Sequence, residues 1–273
     1  MLILDVQLMV IGIGVGIISA MVGMGGGFMI VPILIIFFKV PSQLAVGTSI
    51  LTVLFSSISS VLGYQRQRRI DYRIGGVLAL CAVPGSIAGA YAAESLAPGE
   101  LSFLLGIFLS ALSLYIIVRG RRDLVSDGHN DSRTLNLKTR TRALIDAQGT
   151  RFEYPVHLRR STVIGFADGV LSGLFGMGGG PILVPLVHLF LDIPIHVTVA
   201  TTVFVICFAS LSGAIAHYVL GNVVLDIALY LILGIVPGSQ VGALISRRVN
   251  ARRLRMIVGL VLLIFGLGTM AFG

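Results

Sequence analysis

The chain has 273 residues, of which 56% are hydrophobic and 12% charged, and its formal net charge is +8. With a mean hydropathy of +0.98, this composition excludes an ordinary soluble domain and indicates an all-α polytopic membrane protein. All basic residues except Lys39 fall in three clusters between apolar segments, at 66–73, 119–160 and 247–255. Short basic loops stay on the cytoplasmic side of a membrane, so the charge indicates topology and no nucleic-acid partner is expected.

In chain order, the apolar segments form two similar series. Each series begins with two arms separated by glycines, 6–22 with 28–38 and 161–175 with 181–191. The second arm of each pair, about eleven residues, is shorter than the roughly 20 residues that a helical span needs. We therefore expect each pair to be a re-entrant helix pair broken at its glycines. Three full transmembrane helices should follow each pair, at 44–63, 74–93, 101–118, 197–217, 226–245 and 254–271.

The two series repeat each other at an offset of 153 residues. The sequence GMGGG occurs at 23–27 and again at 176–180, and a Val-Pro step follows each copy, at Val31 and at Val184. Two copies of one apolar unit are typical of a membrane transporter with internal symmetry. The same offset relates two further motifs, Gly47-Thr48-Ser49 with Ala200-Thr201-Thr202 and Pro84-Gly85-Ser86 with Pro237-Gly238-Ser239.

The charges of equivalent loops predict that the two repeats have inverted topology. The loop at 66–73 is basic, whereas its counterpart near Gly221 has no basic residue. The loop at 94–100 is acidic, whereas its counterpart at 247–253 carries four arginines. Equivalent loops should therefore lie on opposite sides of the membrane. The loops expected in the cytoplasm are 64–73, 119–160 and 246–255, and both termini are expected outside.

The predicted organisation is transmembrane repeat 1 at 1–118, a cytoplasmic polar linker at 119–160 and transmembrane repeat 2 at 161–273. Within the linker, residues 141–156 alternate weakly around a turn at 146–149, which predicts a small β-hairpin. We interpret this segment as a linker, and a regulatory domain is the alternative.

The glycine clusters are not phosphate loops, because Phe28 and Pro181 follow them instead of a Lys-Ser/Thr pair. Glycine lets a helix break and turn, and a short helix that starts at such a break offers free N–H groups to an anion. The first arm of each pair ends at the same break with its carbonyl groups, which favour a cation, and close packing is a further alternative. The candidate substrate-binding glycines are Gly25, Gly26, Gly27, Gly178, Gly179 and Gly180.

Other polar residues within apolar segments are weaker candidates. The hydroxyls of Thr48, Ser49, Thr201 and Thr202 either line the cavity or bond to their own or a neighbouring helix. Gln240 lies beside the Pro-Gly motif of its helix. Asp168 is a candidate for proton coupling because an embedded carboxylate is rarely structural, although its place near the cytoplasmic end of its arm predicts partial solvation. These candidates complete the predicted substrate site: Thr48, Ser49, Thr201, Thr202, Gln240 and, for coupling, Asp168.

The sequence contains no recognised catalytic constellation, and no metal site or cofactor is expected. Cys81 and Cys207 are not paired by spacing, and the histidines at 188, 196 and 217 are spread out. We therefore expect the protein not to be an enzyme.

These motifs resemble the sulfite exporter TauE/SafE family of bacterial membrane proteins. The resemblance lies in the doubled glycine motif with its Val-Pro step, Ala45-Val46-Gly47-Thr48-Ser49, the basic loop from Tyr64 to Arg73, and Pro84-Gly85-Ser86 with Gly89-Ala90. It covers nearly the whole chain except 119–160. It implies a multi-spanning inner-membrane protein that moves small anions such as sulfite or organosulfonates.

The sequence thus predicts a secondary transporter, operating as an exporter, that exposes a small anion at a midplane site to each side in turn. The expected partners are this anion and membrane lipid, with coupling to H⁺ or Na⁺ and a homodimer as open alternatives. The main alternative function is a passive anion channel of the same fold, and an intramembrane enzyme and a non-transporting membrane scaffold are further alternatives.

Overall fold

The structure is a computed structural model, and it describes residues 2–122, 141–145, 147–149, 151–155, 158–191, 193–245 and 251–272. This part of the chain contains ten helices and one β-hairpin. The elements are α1 (Leu2–Val22), α2 (Gly27–Ile36), α3 (Ser42–Arg66), α4 (Tyr72–Glu94), α5 (Pro98–Arg122), β1 (Thr141–Ile145), β2 (Arg151–Pro155), α6 (Leu158–Phe175), α7 (Gly180–Phe190), α8 (Ile195–Val219), α9 (Leu225–Ile245) and α10 (Ala251–Phe272).

The predicted helices are present, and the all-α polytopic fold class is confirmed. The four arms correspond to α1, α2, α6 and α7, and the six full spans to α3, α4, α5, α8, α9 and α10. Six helices of the described residues are long and apolar enough to cross a membrane. These six are α1, α3, α4, α5, α8 and α9, so the first arm, α1, is long enough to cross by itself.

Glycine backbone conformation separates each long arm from its short partner. Gly26 and Gly179 occupy the N-cap positions of α2 and α7, with φ values of 87° and 76°. Residues with a Cβ rarely adopt this left-handed region, so glycine lets the chain reverse at these positions. Pro181 stands in the first turn of α7, as the sequence predicts. With 10 and 11 residues, α2 and α7 are about 15 Å long, roughly half the thickness of the hydrocarbon core.

Small residues let helices of opposite halves approach closely. On α4, a Cβ at Gly85 would lie 3.0 Å from the backbone nitrogen of Val170 in α6, and one at Gly89 would lie 2.8 Å from that of Leu174. Gly238 and Gly242 of α9 meet α1 in the same way. The spacing of these glycines therefore serves helix packing, as in other membrane helix pairs with small residues four positions apart.

Contacts along the helices give their relative directions. From Met9 with Gly234 to Ile17 with Gly242, the contacts advance together, so α1 and α9 run parallel. The helices α4 and α6 are also parallel, through the contacts Leu78–Gly165, Ala82–Gly169 and Ser86–Gly173.

The central helices α3 and α8 run antiparallel. Gly47, near the start of α3, lies against Asn222 beyond the end of α8, and Ile50 lies against Gly213. The helices α5 and α10 are antiparallel too, because Gly106 contacts Met270 whereas Ser113 donates a hydrogen bond to the carbonyl of Gly259. The helix α3 runs parallel to α9, and α4 runs parallel to α8. The helices α1, α3, α4 and α5 thus point opposite to α6, α8, α9 and α10, which are their respective counterparts in the other half.

The predicted hairpin in the polar segment is confirmed, with β1 and β2 paired antiparallel. It lies against the loop that joins α3 to α4. Tyr154, which is fully buried, donates a hydrogen bond of 2.7 Å from its hydroxyl to Oδ2 of Asp71. The backbone N–H of Ala147 donates to the carbonyl of Gln67. The hairpin and the basic loop at 66–73 therefore occupy the same end of the helix bundle.

Candidate functional site

The two glycine motifs meet inside the bundle. We name residues 23–27 the first elbow and residues 176–180 the second elbow. A Cβ at Gly27 would lie 2.6 Å from Cα of Met177, and a Cβ at Gly180 would lie 2.6 Å from the carbonyl oxygen of Met24. Backbone therefore touches backbone across the boundary between the halves, and each elbow leaves no room for a side chain at these two positions.

The elbows lie near the middle of the two central helices. Val53, close to the midpoint of α3, and Ile206, close to the midpoint of α8, each approach both Gly25 and Gly178. If α3 and α8 span the bilayer, this contact lies near its midplane. These two side chains are apolar, so they offer no polar group at the contact between the elbows. Both residues were missed by the sequence analysis, although the 153-residue offset relates them to each other.

The predicted hydroxyls bond to the opposite half of the molecule. Ser49 Oγ donates to the carbonyl of Gly176 at 3.0 Å, and Thr202 Oγ1 stands 3.5 Å from the carbonyl of Gly23. These carbonyls belong to the C-terminal ends of the long arms. Ser49 thus bonds to a neighbouring element, whereas the shorter bond of Thr202, 3.0 Å to the carbonyl of Val199, lies within its own helix.

The adjacent hydroxyls act as acceptors in an equally symmetrical way. Thr48 Oγ1 accepts a hydrogen bond from the backbone N–H of Val224, just before α9, at 3.0 Å. Thr201 Oγ1 accepts one from the backbone N–H of Asp71, just before α4, also at 3.0 Å. All four residues are fully buried. Their hydroxyls thus connect the central helices to the opposite half.

The N–H side of each elbow is bonded differently from the carbonyl side. In the described part of the chain, no hydrogen bond is donated by the backbone N–H groups of residues 25–28 or 178–180, although all of these residues are buried. Buried backbone N–H groups in folded proteins are nearly always paired. The elbows therefore present two sets of unpaired donors, at the N-termini of α2 and α7, which are the partially positive ends of these helices.

The second elbow contains a carboxyl group that the first elbow does not. Asp168 is fully buried, and a Cβ on Gly179 would overlap both of its carboxylate oxygens. In the first elbow, a Cβ on Gly26 would instead lie 3.1 Å from the side chains of Val15 and Ser19. The expectation that Asp168 is partly solvated is wrong, because small residues of α4 pack closely over this part of α6 and exclude water.

Gln240 is not part of the elbow contact. Its Nε2 donates to the carbonyl of Ser59 at 2.8 Å and so joins α9 to α3. The histidines are likewise separate: His188 Nδ1 is 2.7 Å from the carbonyl of Ile193, and His217 Nε2 is 2.8 Å from that of Gly173. No group of three potential metal ligands occurs among the residues that the structure describes.

A bundle of apolar helices, broken at two elbows that meet in its interior, is the architecture of a polytopic membrane transporter. The model of the family described as "Sulfite exporter TauE/SafE" matches residues 8–269. The chain belongs to this family, as its motifs predict, and it is a membrane transporter and not an enzyme.

Three relatives illustrate the range of the family. The chain is 32% identical to the probable membrane transporter protein YunE of Bacillus subtilis, over 96% of this chain and 95% of the relative. It is 27% identical to a probable membrane transporter protein of Methanocaldococcus jannaschii, over 95% of this chain and 93% of the relative. It is 32% identical to a sulfite exporter TauE/SafE family protein of Arabidopsis thaliana, over 48% of this chain and 30% of the relative. No solved structure matches the chain.

Proposed function

We propose that this protein is a secondary transporter that exports a small anion, such as sulfite or an organosulfonate, across the bacterial inner membrane. The anion binds at the midplane, between the first and second elbows. The observation that carries the proposal is the contrast between the two sides of each elbow. The carbonyl groups of Gly23 and Gly176 face hydroxyls of the opposite half, whereas the N–H groups of residues 25–28 and 178–180 are unpaired. This contrast favours an anion over a cation.

The absence of basic side chains from the apolar segments fits an anion that must also be released. No Lys or Arg occurs at 1–38, 40–65, 74–118 or 161–246. An anion between the elbows is therefore held by backbone dipoles, each helix N-terminus contributing about half a positive charge. Such a site binds the anion with modest affinity, which allows the anion to be released on the other side of the membrane. The elbows touch backbone to backbone in this conformation, so an anion enters between them only when the two halves move apart.

The opposite directions of equivalent helices support alternating access. Inverted repeats let one half rock against the other around a fixed central site, so that the same contacts open first to one side and then to the other. The side chains of Val53 and Ile206 lie against both elbows, and in this proposal they move aside when the site opens. The alternative is a passive anion channel of the same fold, in which the path is never closed on both sides.

Counterflow in proteoliposomes tests the function and separates these alternatives. Vesicles are loaded with one unlabelled anion at a time, and uptake of the same labelled anion (sulfite, thiosulfate, sulfate or sulfoacetate) is measured from outside, with protein-free vesicles and the zwitterion taurine as controls. We expect saturable uptake of at least one anion, accelerated by the same anion inside. Flux without saturation or acceleration would support the channel, and no flux of any of these anions would contradict the proposal.

Topology provides an independent prediction. If the halves are inverted in the membrane, reporter fusions after Pro98 and after Gly221 should both read as external, because both loops lie at the same end of the bundle. A fusion after Gln148 should read as cytoplasmic, since the hairpin contacts the basic loop at 66–73. A cytoplasmic signal from either of the first two fusions would contradict the inverted arrangement and the external placement of both termini.

A further inference from the structure

Unpaired buried polar atoms concentrate beside the second elbow. In the described part of the chain, six buried side-chain atoms have no hydrogen-bond partner, and four of them belong to Asp168, Ser172 and His217. They are both carboxylate oxygens of Asp168, the Ser172 hydroxyl and Nδ1 of His217. Asp168 and Ser172 lie one helical turn apart on α6 and therefore share a face. Buried polar atoms are usually paired, so this cluster points to a bound species.

The carboxyl group of Asp168 is directed at the start of a helix. Gly179 is the N-cap residue of α7, and both carboxylate oxygens of Asp168 lie where a Cβ of this glycine would stand. Nevertheless, these oxygens accept no hydrogen bond from the N–H groups of α7. Asp168, Ser172 and Gly179 are all buried from solvent, and we refer to this group as the compartment.

A proton suits this compartment better than a metal cation does. Hard cations take several oxygen ligands, whereas this compartment offers one carboxyl group and one hydroxyl. An ionised carboxylate without a partner is costly to bury, and binding a single proton removes its charge. A proton also fits the contact with Gly179, which leaves no space for a larger ion.

Among the residues that the structure describes, neither carboxylate oxygen of Asp168 has a hydrogen-bond partner. His217 reaches this region through Gly173, and its own charge neighbour is Glu94. The titratable residues with described side chains on the helices packed against α6 are Tyr64 and Arg66 on α3, Tyr72, Arg73, Cys81, Tyr91 and Glu94 on α4, His188 on α7, and Cys207, His217 and Tyr218 on α8.

We propose that Asp168, with Ser172 and Gly179, forms a proton-binding site that couples proton movement to anion transport at the elbows. This inference rests on the proposed function. When the carboxyl group is protonated, the N-terminus of α7 keeps its partial positive charge and attracts the anion. When the carboxyl group is ionised, it cancels that charge and repels the anion. Anion and proton therefore favour each other's binding, and the coupling is reciprocal.

The first elbow has no equivalent of Asp168, so only the second elbow changes its charge when a proton binds. Val15 occupies the position in α1 that Asp168 occupies in α6, so the N-terminus of α2 keeps its charge in both protonation states. A dianion that travels with one proton has a net charge of −1. The membrane potential, negative inside, drives such a complex outwards, so proton coupling of this kind is compatible with export.

Infrared spectroscopy tests the proton site without requiring transport. At neutral pH, the reconstituted protein should show the carbonyl band of a protonated carboxylic acid, shifted in D₂O and absent from the Asp168→Asn variant. The control is Asp226→Asn, which alters an exposed carboxylate at the start of α9 and should keep the band. Absence of the band from the wild-type protein would overturn the proposal even if Asp168→Asn failed to fold, and so would its persistence in that variant.

Transport measurements then test the coupling. In vesicles containing a pH-sensitive dye, wild-type sulfite flux should be accompanied by proton movement beyond that of protein-free vesicles. Its rate should fall by up to about tenfold per pH unit as the carboxyl group ionises. Asp168→Asn should lose the proton movement, and its remaining sulfite exchange should not depend on pH, whereas Asp226→Asn should keep the wild-type exchange rate and its pH dependence. Unchanged proton movement in this variant would overturn the proposal. If the wild type moves no anion while the infrared band is present, the transport function fails and the proton site stands.

Discussion

Gly180→Ala is expected to reduce anion counterflow by tenfold or more. Position 180 lies where the two elbows touch, and an added Cβ would meet the backbone of Met24 at 2.6 Å. Backbone atoms cannot move aside as the end of a flexible side chain can, so the elbows must separate. Overpacking of this kind costs about 1–3 kcal/mol, and each 1.4 kcal/mol corresponds to about a tenfold change in an equilibrium. The unpaired N–H groups of the two elbows could then no longer bind the same anion, as the proposed function requires.

The symmetrical variant and a matched control make this test specific. Gly27→Ala should have a similar effect, because its Cβ would meet Cα of Met177 at 2.6 Å. Gly14→Ala places the same methyl group in α1 at a point with no atom within 4 Å, and it should transport like the wild type. Counterflow is measured at equal amounts of inserted protein. Wild-type rates in both elbow variants would show that contact between the elbows is not required.

The sequence was sufficient to predict the helices and their breaks, because both follow from local chemistry. A run of apolar residues must pair its backbone groups within one helix in a membrane, and glycines at 23–27 and 176–180 supply the one place where each arm can reverse. The repeat also indicated two glycine motifs that lie together in the fold, since the two elbows touch each other.

The partners of individual polar groups could not be predicted, because they depend on contacts between distant helices. The hydroxyls of Ser49 and Thr202 were equally compatible with a cavity or with a neighbouring element, and only the fold brings them to the elbow carbonyls of the opposite half. The burial of Asp168 has the same origin. The place of Asp168 near the end of its arm suggested partial solvation. In the structure, α4 packs closely over this residue, and the sequence of α6 alone does not reveal which helix covers it.

Asp71→Ala is expected to destabilise the protein by about 2–4 kcal/mol and to release the hairpin. Asp71 is fully buried, and its Oδ1 accepts hydrogen bonds from the backbone N–H groups of Arg73, at 2.9 Å, and Ile74, at 3.3 Å. Loss of such a helix cap costs about 0.5–2 kcal/mol. The change also leaves the buried hydroxyl of Tyr154 without this acceptor, which costs roughly 1–3 kcal/mol.

The expected readouts are a lower thermal unfolding midpoint and faster proteolytic cleavage after Arg151 in the hairpin. The control, Asp226→Ala, removes an exposed acid from the first turn of α9 and should cost at most about 1 kcal/mol. Because the N–H of Asp71 also bonds to Thr201, a detached hairpin should disturb the start of α4 where it meets α8. Equal midpoints for the two variants, with unchanged cleavage, would mean that the Asp71–Tyr154 contact does not secure the hairpin, and the polar segment would then act as a linker that contributes nothing to the stability of the bundle.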